Sequence, residues 1–344
     1  MPLSTAVIGY GIAGSVFHTP LIDADPDYRL DTIVTTGDDR IAAARERYPH
    51  ARVVPDVDAL LAGGVPDLAV VATPNDTHVP VARRLLEAGA DVVVDKPIAA
   101  DARDAAALVE HAAALGRRIT VFQNRRWDGD FATIRRLVEA GELGEVLQLE
   151  SAFGWWSPEV GASWRDRLAV ADGGGLLYDL GPHLIDQAVA LFGPVAALHA
   201  EADARRPGAV NDDDTFVSIT HASGVRSRLW MSVVTPGPRP RFRVVGTRAV
   251  AESWGLDPQE EQLGGGSRPG ADGYGLHPEH PDVLVTTVDG TRRVPKERGD
   301  YPEFYRRLAA ALRDGTPMPV DPGDSIEVVR LMQGARVEGR LTTR

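Results

Sequence analysis

The chain has 344 residues, 43% of them hydrophobic and 25% charged, with a formal net charge of −12 and no cysteine. That length suggests two domains with ample core, and the acidic balance argues against a nucleic-acid or anionic-membrane binder. The missing cysteines exclude disulfides, thiolate nucleophiles and cysteine-held zinc, and they fit a reducing, cytoplasmic setting.

In chain order, MPLSTAVIGYG lacks a basic residue before its apolar run and is expected to be a first strand rather than a signal peptide. No apolar run approaches the ~20 residues that span a bilayer. The runs DTIVTT, PDLAVVAT, ADVVVDKP and RRITVF follow, separated by IAAARERY, HVPVARRLLEAG and ARDAAALVEHAAALG, whose apolar residues have helical spacing. Alternating βα units predict an α/β, doubly wound parallel sheet of Rossmann type over residues 1–122. From 123 to 344 the pattern becomes that of an α+β domain for substrate binding and oligomerisation. Helices at about 128–140 and 174–191 frame the strand-like runs EVLQLESAF, VAALHAEADA, DTFVSIT, VRSRLWMSV, RFRVVG and RAVAES. Short turns such as ASG and GTR predict a large, mostly antiparallel open sheet. Its uncovered face is expected to be apolar and to pair copies into a homodimer or homotetramer. Residues 264–282 read as a loop. Two helical patterns, YPEFYRRLAAALRDG and DSIEVVRLMQGARVEGR, close the chain and are expected to pack back on the first domain.

The first strand runs directly into Gly9-Tyr10-Gly11-Ile12-Ala13-Gly14 and then a helix. In that context G-x-G-x-x-G predicts a dinucleotide site: the glycines permit a tight turn and close backbone approach to a pyrophosphate at a helix N-terminus. NAD enzymes place an acidic residue ~20 positions on to hold the ribose. Here that position falls at Thr35-Thr36, with Arg40 on the next helix, which favours the 2′-phosphate of NADP. Asp38 and Asp39 suit helix capping, or an NAD ribose if the register is two residues out, so NAD stays open.

Thr73-Pro74-Asn75 and Asp95-Lys96-Pro97 both follow predicted strands, at the carboxyl ends where doubly wound sheets bind ligands. Only two of the 37 basic residues are lysines, Lys96 and Lys296. An ammonium donates as a compact point charge where a guanidinium is wide and planar, so Lys96 is expected beside a reacting oxygen. Further on, GGGLLYDLGPHLID puts Asp179 and His183 four apart, on one face of a helix unless Pro182 breaks it. For an isolated D-x-x-x-H, a structural histidine capped by the aspartate near a helix start is the preferred reading. A metal site there lacks a third ligand, His277-Pro-Glu-His280 lies in a loop, and no metal is expected. Trp155, Trp156 and Trp164 offer flat rings for a sugar face or for core packing. Arg126 and Arg165 suit substrate hydroxyls or cofactor phosphate, and Asn211-Asp212-Asp213-Asp214 reads as a solvated turn.

With these motifs the chain resembles the glucose–fructose oxidoreductase, inositol dehydrogenase and rhizopine catabolism oxidoreductases, over nearly its whole length. GYGIAG is similar to the family's nucleotide turn, ATPNDTH to its second cofactor loop, and DKP to its Glu-Lys-Pro. GGGLLYDLGPHLID is similar to its substrate-domain helix, while FQNRRWDGDF, SWRDR and DPQEEQL point to sugar and cyclitol dehydrogenases. The resemblance implies a catalytic set of Lys96, Asp179 and His183. It implies cofactor contacts from Ala72, Thr73, Pro74, Asn75, His78, Asp95, Lys96, Pro97, Gln123 and Asn124, in addition to the glycine turn. Substrate contacts are implied from Lys96, Arg126, Trp155, Trp164, Arg165, Tyr178, Asp179 and His183. The implied reaction moves a hydride between NADP or NAD and a secondary alcohol of a sugar or cyclitol. A non-catalytic sensor of the same fold, or an enzyme of dihydrodiol or imine substrates, are the alternatives.

Overall fold

A computed structural model describes every residue except 162, 170–172, 339–340 and 344, and the backbone alone at 164, 337–338 and 341–343. The chain divides into two compact units. One comprises Met1–Asn124, Gln259–Tyr274 and Asp300–Glu327; the other comprises Arg125–Pro258, Gly275–Gly299 and Val328–Arg344.

The first unit carries a six-stranded sheet of β1 (Leu3–Ile8), β2 (Tyr28–Val34), β3 (Arg52–Val54), β4 (Leu68–Val71), β5 (Asp91–Asp95) and β6 (Ile119–Phe122), in the order β3-β2-β1-β4-β5-β6. Every ladder is parallel. The predicted doubly wound sheet is therefore present, with its switch in strand order between β1 and β4, the place where such sheets bind ligands. All of β4 is buried, as are Val92–Val94 of β5, which explains their unbroken apolar runs: helices cover both faces. The helix Pro302–Asp314 buries Phe304, Tyr305 and Leu308 in this unit, with Phe304 edge-on to Phe122 at 4.9 Å. Each such side chain is worth ~1.5–3 kcal/mol on leaving water. Arg118 donates to the carbonyls of Ala311 and Leu312 at the end of this helix, and Thr120 Oγ1 to that of Val320 in the segment after it, so polar groups are satisfied there as well as apolar ones packed.

The second unit carries, among the described residues, a nine-stranded sheet: β7 (Val146–Gly154), β8 (Val195–Ala204), β9 (Asp214–His221), β10 (Arg226–Ser232), β11 (Phe242–Gly246), β12 (Val250–Ser253), β13 (Asp282–Thr287), β14 (Gly290–Pro295) and β15 (Leu341–Thr343). It is mostly antiparallel, as predicted, but β7–β10 and β8–β15 run parallel. One face is buried through Leu149, Val217, Leu229, Met231, Phe242 and Val283. The helix Leu176–Phe192 packs on it over β7 and β10. The other face is only partly exposed and, contrary to expectation, is not apolar. Arg243 pairs with Glu150 at 2.8 Å and Glu252 at 3.2 Å, and the aromatic part is confined to neighbours such as Phe216 and Trp230. The β13–β14 hairpin is absent from the sequence reading, although its Asp289-Gly290 step is a strong turn signal.

Candidate active site

The glycine turn is fixed by packing at two positions and, among the described residues, is left open at the third. Gly9 has φ +101°, and a Cβ there would stand 2.4 Å from the Ala72 carbonyl oxygen. A Cβ on Gly14 would stand 2.0 Å from the Gly9 carbonyl oxygen. Around Gly11 nothing lies within 4 Å of the same point. The turn's shape requires the outer glycines, while the middle one leaves room beside bare backbone, as approach of a pyrophosphate requires. The helix that follows has no acidic residue in its first turn, so its N-terminal dipole is left to an anion. Tyr10 is buried and Ile12 exposed.

Beyond β2, Thr35 is buried and Thr36 exposed. Gly37 precedes the helix Asp38–Arg47, and the Arg40 guanidinium lies back over it, with Nη2 3.6 Å from a Gly37 Cβ position. Asp38 and Asp39 occupy that helix's first turn, where acids favour the dipole. Beyond β4, Thr73 and Thr77 share a hydroxyl contact of 2.8 Å. His78 is buried between two carbonyls, with Nε2 2.8 Å from that of Thr73 and Nδ1 2.8 Å from that of Pro97, and a neutral ring donates to one of them. Burial lowers its pKa, and Asp95 offsets part of that. Asp95 ends β5, and its Oδ1 accepts the Lys96 amide at 2.9 Å; the Lys96–Pro97 peptide is cis. Asn75 Nδ2 and Gln123 Oε1 are buried at the ends of β4 and β6 with no hydrogen-bond partner among the described residues. Asn124 is also buried. Buried amides left unsatisfied at the carboxyl ends of these strands fit a polar ligand there.

In the second unit the helix Leu176–Phe192 runs unbroken through Pro182. Asp179 and His183 therefore stand one turn apart on one face. His183 is buried, and Asp179 Oδ2 accepts from Arg165 Nη1 at 2.9 Å. The Arg165 guanidinium also lies 4.8 Å above the Trp155 ring, a stacked cation–π arrangement. Arg126 is engaged elsewhere, forking onto buried Asp186 at 2.8 and 2.7 Å. Tyr178 is fully buried beneath the Arg336 guanidinium at 3.8 Å. Trp156 is exposed, and the Trp164 side chain lies outside the described residues.

The run 211–214 is not the solvated turn expected. Asn211, Asp212 and Asp213 are buried. Asp212 caps the helix, accepting the Leu177 amide at 2.7 Å, and a Cβ on Gly175 (φ +100°) would strike its Oδ1 at 2.0 Å. Asn211 Nδ2 holds the carbonyls of Arg165 and Leu168. Asp213 binds Arg206 at 2.9 Å, and Arg206 in turn binds Asp166 at 2.7 Å. These residues brace both the helix bearing Asp179 and His183 and the segment bearing Arg165. In the sequence, only the placing of a polar run just before a strongly alternating strand hints at this.

Comparison with known proteins places the chain in a family. A family model described as an oxidoreductase family with an NAD-binding Rossmann fold matches residues 3–123, and one for the GFO/IDH/MocA C-terminal domain matches residues 131–252. The chain is 32% identical over 337 residues to scyllo-inositol 2-dehydrogenase (NADP(+)) IolW of Bacillus subtilis (strain 168), covering 97% of this chain and 92% of that protein. It is 37% identical to the uncharacterized oxidoreductase YdgJ of Escherichia coli (strain K12), covering 96% and 94%. The solved structure of YvaA from Bacillus subtilis superposes with a TM-score of 0.91 at 31% identity, covering 98% of this chain and 95% of that one.

Proposed function

Since the chain belongs to the GFO/IDH/MocA family of NAD(P)-dependent oxidoreductases, we propose that it interconverts a secondary alcohol and a ketone on a neutral sugar or cyclitol, with Lys96, Asp179 and His183 as its reacting side chains and NADP(H) as its cofactor. The nicotinamide, when bound, takes up or releases the hydride. The glycine turn holds the pyrophosphate, and the loops at Thr73–Asn75, Asp95–Pro97 and Gln123–Asn124 hold the rest of the cofactor. Thr36 and Arg40, in place of an acidic residue, favour the 2′-phosphate, in keeping with the NADP(+) for which the Bacillus relative is named.

His183 takes the hydroxyl proton in the oxidative direction, a task for which imidazole suits neutral pH. Lys96 donates to the same oxygen and stabilises its alkoxide character. Asp179 accepts from a neighbouring hydroxyl, and Trp155 receives an apolar ring face.

The observation that carries the substrate class is the Asp179–Arg165 pair above Trp155, one helical turn from His183. Its guanidinium is already matched by a carboxylate, as is that of Arg126 by Asp186. Such pairs offer donors and acceptors to vicinal hydroxyls but no net positive charge to a phosphate or carboxylate. The test is a nicotinamide-absorbance screen of cyclitols and sugars, scyllo-inositol first, alongside the matching uronates and sugar phosphates, with both cofactors. Turnover confined to neutral polyols supports the reading; preference for an anionic member, or cofactor binding with no turnover of any polyol, overturns it.

A further inference from the structure

The helix that opens on the glycine turn closes its first segment, Ala13–His18, with a histidine to which the reaction gives no part. His18 is wholly buried, with its ring 4.5 Å from that of Phe122. Nδ1 lies 2.7 Å from the Tyr305 hydroxyl. Nε2 faces Asp95 Oδ1 at 3.9 Å and has no hydrogen-bond partner among the described residues. Asp95 Oδ1 is the same oxygen that accepts the Lys96 amide. The segment is π-helical: the Thr19 amide reaches back five residues to the Gly14 carbonyl, and Thr19 Oγ1 joins it at 2.9 Å. A π turn takes up an extra residue and so resets the direction of the side chains after it; such turns cluster at functional sites.

We propose that His18 is a positioning residue for the catalytic lysine: anchored by Tyr305, it directs Nε2–H at Asp95, and Asp95 holds the Lys96–Pro97 turn. Burial lowers the imidazole's pKa to about 4 against the pull of Asp95, so the ring is neutral in ordinary buffers. A neutral ring that accepts the Tyr305 hydroxyl proton at Nδ1 carries its own proton on Nε2, toward the carboxylate. His78 Nδ1 lies 2.8 Å from the Pro97 carbonyl on its own side of the turn. The catalytic part of this inference depends on the role proposed for Lys96; the positional part does not.

The two-lysine composition allows a test without substrate or cofactor. The full-length protein is acylated with N-hydroxysuccinimidyl acetate, and modification of Lys96 and Lys296 is followed by peptide mass spectrometry. Lys296 donates to the Trp254 carbonyl in the second unit and serves as the internal control. His18→Phe and Asp95→Asn should each raise the Lys96 rate about threefold or more with Lys296 unchanged, and the double variant should go no further, as for residues acting in series. Turnover of the best polyol from the screen should fall about tenfold in His18→Phe with NADPH affinity near native. An unchanged Lys96 rate in His18→Phe, or additive effects in the double variant, overturns the proposal. If His18→Phe changes both lysines, its fold is disturbed and Tyr305→Phe, which removes only the hydroxyl, decides by whether Lys96 alone responds. Should Lys96→Ala keep native turnover, the catalytic role of Lys96 fails, while the acylation rates still report whether His18 holds the turn.

Discussion

Replacing Gly11 with alanine separates the demands of the fold from those of the cofactor. Among the described residues, the new methyl group would meet no atom within 4 Å beyond its own chain neighbours, and Gly11 is not among the glycines with positive φ. A glycine-to-alanine change at a compatible position stabilises by ~0.4–1 kcal/mol through the unfolded chain. Gly11→Ala should therefore melt no lower than the native protein. Gly14→Ala places its methyl 2.0 Å from the Gly9 carbonyl oxygen, a backbone atom with little freedom to give. Overpacking of that kind costs ~1–3 kcal/mol or more, and the melting temperature should drop. Affinity should behave in the opposite sense for Gly11→Ala, because the methyl occupies the side from which a pyrophosphate approaches. A weakening of about 100-fold, or ~2.8 kcal/mol, is expected. Thermal melts without ligand and NADPH fluorescence titrations read the two effects separately. Gly11→Ala with native NADPH affinity would refute the approach of phosphate to this backbone, and a destabilised Gly11→Ala would refute the empty space.

Lys96→Arg should lose turnover nearly as far as Lys96→Ala, on the order of 10²–10³, because a planar guanidinium cannot replace a point donor; near-native steady-state rates would remove Lys96 from the chemistry. Arg40→Ala should weaken NADP(H) but not NAD(H) in parallel titrations, and equal weakening of both would contradict the proposed phosphate contact. His18, held near a pKa of about 4 by burial beside Asp95, His78 and Tyr305, binds its proton more readily in the unfolded chain. Its neutral burial therefore favours folding above pH ~6.5, and that stability drains away as pH falls toward 4, by ~3 kcal/mol in all. Denaturant titrations from pH 7 to 4 should show a shallower decline in His18→Phe, and equal slopes would count against the shift.

The residues legible from sequence are those whose chemistry leaves few substitutes. Gly9 and Gly14 are fixed by neighbouring backbone, and Lys96 stands out because the chain otherwise uses arginine. The unbroken apolar runs of β4 and β5 mark a sheet covered on both faces before any contact is known. What escapes depends on partners distant in sequence. The run from Asn211 to Asp213 looks like any polar turn until Arg165 and Leu168, more than forty residues earlier, supply carbonyls for Asn211. Arg126 looks available to a ligand, yet Asp186, sixty residues on, engages it. The three-residue strand Arg52–Val54 is too short to show a period.

The pairing of Arg165 with Asp179 also bears on how such an enzyme changes its substrate range. The two charges lie on different helices, and the pair is only part-buried. A single substitution at either position leaves the other charge exposed to whatever substrate enters. Adaptation toward an acidic sugar would need Asp179 neutralised while Arg165 stays braced from the Asn211 loop. Because Asp179 is also proposed to serve the reaction, such a change of substrate charge would be coupled to a loss of turnover, and a directed-evolution library should vary the residues around Arg165 together with Asp179.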